Sequence, residues 1–91
     1  MYSDALYLQS KAKYAIGERE TSLELIRNAI KIESNKPTTG TKSDLPLAMM
    51  FLMKATLYTN GKLISDKREA LKCYKKAIKI AENVNAAAVN I

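Results

Sequence analysis

In the stretch REALKCYKKAIKI, residues 68–80, Lys72, Lys75, Lys76 and Lys79 recur at i, i+3, i+4 and i+7. On a helix that spacing puts four ammonium groups on one side, where they would suit phosphate or an acidic partner. Ala70, Leu71, Tyr74, Ala77, Ile78 and Ala81 take the other side, so the segment reads as an amphipathic helix with its back to water. No arginine or aromatic residue interrupts the stripe, and those are the side chains that base recognition and stacking favour. The lysines are therefore read first as a solvated face. A basic surface for nucleic acid is the alternative.

Other chemistry is sparse. The chain has no histidine, one cysteine and no glycine-rich phosphate loop. A nucleophile–base pair of the usual kinds cannot be assembled, and zinc ligation lacks its ligands. Glu20 and Glu24 share a helix face, but carboxylates near a helix start are ordinary surface residues. No enzymatic activity, cofactor or metal is expected. Cys73 lies beside an apolar position and reads as a part-buried small hydrophobe. A single cysteine forms no internal disulfide, which suits a reducing, cytoplasmic setting. The most apolar run, LPLAMMFLM at 45–53, is too short to span a bilayer. The amino terminus runs into polar helical sequence, so no signal peptide and no membrane role are expected. The formal charge of +6 is spread over both halves, with some excess after residue 43.

These residues must be carried by helices. Apolar spacing predicts a first helix from Ser3 to Ile16, capped by Ser3 or Asp4, with Ala5, Leu8, Ala12 and Ala15 as its apolar face and Gly17 as its stop. A second helix begins near Thr21, where Thr21 and Glu24 make a capping-box pattern. It buries Leu23, Ile26, Ala29 and Ile30, and fades before Pro37. Residues 35–44 form a loop that should tolerate trimming. A third helix starts after Ser43 or Asp44, admits Pro46 in its first turn and ends near Tyr58. A fourth runs from about Asp66 to Asn83, leaving residues 84–91 as a tail. The expected fold is all-α: two antiparallel helix hairpins in a single domain.

The halves repeat. NAIKI at 28–32 matches KAIKI at 76–80, and Tyr14-x-x-Gly17 matches Tyr58-x-x-Gly61. With Tyr7 and Phe51, Lys11 and Ala55, then Ser22, Ile26, Ala29 and Ala70, Tyr74, Ala77, the chain resembles the tetratricopeptide repeat. The resemblance implies repeats at about 4–34 and 45–83 that stack as an α-α solenoid. Lys11 and the long loop depart from the pattern. Residues 55–80 are also similar to the microtubule-interacting and trafficking domain, which leaves the repeated first half unaccounted for.

In the tetratricopeptide family the first helices of each repeat line a concave groove. The resemblance places Leu8, Ala12, Ala15, Met49, Leu52, Met53 and Thr56 there. The expected function is a non-catalytic protein-interaction module that binds an apolar helical or extended peptide, or a second copy of itself, through this groove. Nucleic acid is the less favoured partner.

Overall fold

The computed structural model describes residues 2–37, 39–61 and 63–89. Thr38, within the expected loop, and the last two residues of the expected tail lie outside them. Four helices follow in order: α1 (Tyr2–Ala15), α2 (Arg19–Ser34), α3 (Leu45–Thr59) and α4 (Ile64–Val89), and no strand occurs among the described residues. The domain is a slab of 43 × 30 × 20 Å. Helix α1 packs on α2 and α3 packs on α4, making two hairpins, and α2 joins them by packing on α3. Among the described residues the backbone of α1 comes close to α3 at few points, and that of α4 comes close to neither α1 nor α2.

Local signals explain most boundaries. Gly17 takes φ +86°, the Gly17 amide donates to the Tyr14 carbonyl and the Glu18 amide to the Lys13 carbonyl. That is the left-handed Schellman ending, which glycine adopts without a side-chain penalty. Pro46 sits in the first turn of α3, where its missing amide costs nothing.

Other expectations are corrected. Helix α2 starts at Arg19, two residues before Thr21, so Thr21 lies inside the helix and no side chain caps its start. Ser3 does not cap α1. It is buried, and its hydroxyl donates to Glu33 Oε1 at 2.5 Å. Helix α4 begins earlier and runs through the expected tail. The loop is tied down rather than slack. The Asp44 carboxylate accepts from the Thr39 amide (3.1 Å) and hydroxyl (3.0 Å) and from the Gly40 amide (2.6 Å), so trimming there would remove ordered structure.

The core forms two connected clusters. Leu6, Leu23, Ile26, Ala29, Met50 and Leu57 join the first three helices. Ala48, Phe51, Ala55, Cys73 and Ala77 join α3 to α4, and Ile30 packs against both clusters. The buried stripe of α1 is Ser3, Leu6 and Ser10, not the expected Ala5, Leu8, Ala12 and Ala15, which are exposed. On α4 it is Ala70, Cys73 and Ala77. Leu71, Ile78 and Ala81, expected to pack, are exposed.

The burial pattern repeats. Ser3, Leu6 and Ser10 precede the buried Ala48, Phe51 and Ala55 by 45 positions each, and Ser22 and Ala29 precede the buried Ala70 and Ala77 by 48 each. The sequence match through Tyr14 and Tyr58 has a spacing of 44, one residue different. The buried face therefore pairs Ser10, not Lys11, with Ala55. Small residues stand at both positions because helix backbones approach closely where side chains are small.

Candidate functional site

Helix α3 is the most apolar element and packs on two neighbours. Met50, Leu57 and the half-buried Met53 serve the first core cluster, while Ala48, Phe51 and Ala55 serve the second. A helix has room for a third face. Met49 and Leu52 occupy it, 48% and 43% exposed. Thr56 lies one turn beyond, half-buried, its hydroxyl donating to the Leu52 carbonyl at 3.0 Å. Met49, Leu52, Met53 and Thr56 are thus brought together, with Met53 turned partly inward.

The α1 residues assigned to the same groove, Leu8, Ala12 and Ala15, are all exposed. Tyr7 packs against the first cluster, and the Tyr14 hydroxyl accepts from Asn60 Nδ2, just past the end of α3, at 2.7 Å. Ala5 and Ala12 precede these tyrosines by two residues, so they project about 200° around the helix from them. Leu8, 63% exposed, lies on the same outer side, and Ala15 is also exposed. Leu8 and Ala12 therefore face away from Tyr7 and Tyr14, and Leu8, Ala12 and Ala15 take no part in the core. The missed signal was the buried serines: a stripe of Ser3, Leu6 and Ser10 is not apolar enough to be read as a packing face.

Cations sit over the aromatic rings around this region. Lys11 lies 5.4 Å from the Tyr7 ring centroid, and Arg27 and Lys54 lie 5.8 and 5.9 Å from that of Tyr58. Arg27 Nη2 also donates to the Tyr58 hydroxyl. Arg19 reaches from α2 to the end of α3, its Nε and Nη2 donating to the Leu57 carbonyl at 3.2 and 2.9 Å.

Lys72, Lys75, Lys76 and Lys79 are all exposed and form no ion pair among the described residues. Lys76 turns toward α3, its Nζ 5.3 Å from the Phe51 ring centroid. Lys75, Lys76 and Lys79 border a shallow cleft with Phe51 and Ile80.

A second cleft, of about 300 Å³, lies between the loop and the ends of the helices, lined by Glu33, Lys36, Asp44, Leu47 and Ile80 among others. Lys36, at 2.8 Å, and then Ser3 hold the Glu33 carboxyl below its ordinary pKa. The Thr39 amide, chiefly, does the same for Asp44. Both carboxylates accept hydrogen bonds from within the fold. Among the described residues no group of three or more metal-ligating side chains assembles. Burial pushes the Cys73 thiol up, away from the thiolate form that nucleophilic or redox chemistry needs. No described helix is long and apolar enough to cross a membrane.

No protein-family model, curated protein or solved structure matches this chain.

Proposed function

We propose that the chain is a non-catalytic protein-interaction module, a two-repeat helical array of the tetratricopeptide kind, that takes an apolar helical or extended peptide on the outward face of α3. One observation carries this reading. The most apolar helix keeps Met49 and Leu52 uncovered, between half-buried Met53 and Thr56. Methionine adapts its shape to varied apolar partners, and amphipathic helices dock on such surfaces through residues at i, i+3, i+4 and i+7. Aromatic side chains with a polar tip, such as Tyr14 at the end of α3, suit the rim of a peptide-docking surface.

The test is selection of displayed helical peptides against the intact chain and against a Met49→Gln/Leu52→Gln variant. Both substitutions keep helix propensity and fall on exposed positions, so circular dichroism should be unchanged. Peptides with an apolar i, i+3/i+4, i+7 pattern should bind the wild type and lose the variant. Equal recovery by both proteins would defeat the proposal. A salt series separates the runner-up, phosphate binding by Lys72, Lys75, Lys76 and Lys79. That binding weakens steeply with salt, whereas apolar docking does not.

A further inference from the structure

The contact between α2 and α3 has two halves, and each half has an unoccupied counterpart on the outside of the molecule. On α2 the docking face is Leu23, Ile26 and Ile30. Forty-eight positions on, at the spacing of the buried stripes, stand Leu71, Tyr74 and Ile78 of α4. Leu71 and Ile78 are each 54% exposed, with Tyr74 between them half-buried against the α3–α4 cluster. On α3 the docking face is Met50, Met53 and Leu57. Forty-five positions earlier, at the spacing of the buried stripes of α1 and α3, stand Ala5, Leu8 and Ala12, the uncovered outer face of α1.

We infer that the chain self-associates head to tail, with the Ala5–Leu8–Ala12 face of α1 in one copy docked on the Leu71–Tyr74–Ile78 face of α4 in the next, as α3 docks on α2 within one copy. The contact continues the intramolecular array, because each incoming helix meets a face with the same layout as the one that α3 meets. The polar supports follow the same register. Arg19, which donates to the Leu57 carbonyl near the end of α3, corresponds to Lys67 on α4. A cation at Lys67 faces the carbonyl-rich carboxyl end of the docked α1, where helix dipoles favour positive charge. Alanines stand where α3 has Met50 and Leu57, so the intermolecular contact buries less apolar surface than the internal one. Two chains of net charge +6 also repel. The association is therefore weak and strengthens as salt screens the repulsion. The contact uses different patches on the two copies, so it does not close on itself. It leaves Met49 and Leu52 free, and so stands or falls independently of peptide docking on α3.

The experiment is sedimentation of the full chain at rising concentration, in low and high salt, with two single variants. Leu8→Glu blocks the α1 face and Ile78→Glu blocks the α4 face. Both positions are exposed, and circular dichroism verifies that each variant folds. Wild type should give a mass that keeps rising with concentration and rises further with salt. Each variant alone should stay monomeric. Their equimolar mixture should form a dimer and nothing larger, because each supplies the face that the other lacks. A wild type monomeric throughout, a variant that still associates by itself, or a mixture that stays monomeric would each overturn the inference.

Discussion

Ser10 and Ser22 exchange hydrogen bonds across the first hairpin. The Ser10 hydroxyl donates to the Ser22 carbonyl at 2.8 Å, and the Ser22 hydroxyl donates to the Ser10 carbonyl at 2.7 Å. Both side chains are fully buried. At the corresponding positions of the second hairpin stand Ala55 and Ala70, also buried. The first crossing carries a reciprocal polar pair, and the matching positions of the second carry two buried methyl groups.

That contrast predicts coupling between the serines. Ser10→Ala or Ser22→Ala alone should cost about 1 kcal/mol, the usual net value of a buried hydrogen bond. The double variant should cost less than the two singles combined, because it reproduces the alanine crossing of the second hairpin. A double-mutant cycle by urea unfolding measures the difference. Strict additivity would show that the two hydroxyls act independently.

Arg19 anchors the joint between the hairpins. Its guanidinium places two donors and a positive charge on the last turn of α3. Arg19→Ala should lower stability by about 1–2 kcal/mol. Arg19→Lys should fall between, since lysine keeps the charge but lacks the planar fork. Amide exchange in the last turn of α3 should quicken in step. A melting temperature unchanged by Arg19→Ala would mean that the apolar contact alone holds α2 to α3.

Acid should loosen the end of the slab where the loop lies. Glu33 and Asp44 both titrate below their ordinary values in the folded chain. Their contribution is therefore complete above the unfolded carboxylate pKa, near pH 4, and is lost as pH falls through the depressed folded values. Glu33→Gln should destabilise the protein at neutral pH by about 1 kcal/mol, with Ser3 and Lys36 losing a charged acceptor. The gap between variant and wild type should narrow as pH falls below the ordinary carboxylate range and the folded Glu33 takes up its proton. A gap independent of pH would show that the Glu33 charge adds nothing.

The sequence by itself determined the helical class, the number of helices and most of their ends. These rest on local chemistry: 3.6-residue apolar spacing, the αL ending at Gly17, and Pro46 confined to a first turn. The buried stripe Leu23, Ile26 and Ala29 of α2 was legible because it is both apolar and periodic. So was the internal repeat, and so was the apolar excess of α3.

Tertiary structure alone decided which faces of α1 and α4 are inside. On α1 the more apolar side, with Ala5, Leu8 and Ala12, is exposed, while Ser3 and Ser10 are buried because Glu33 and Ser22, on another helix, satisfy their hydroxyls. No periodicity within α1 contains that information. On α4, Leu71 and Ile78 looked as buried as Leu23 and Ile30 because the repeat makes them equivalent in sequence. Their exposure follows from the order in which the helices pack: α2 lies between α1 and α3, whereas among the described residues α4 packs on α3. A helix face is core or surface according to its neighbours, and the neighbours are set by the order of packing, not by the residues of the face.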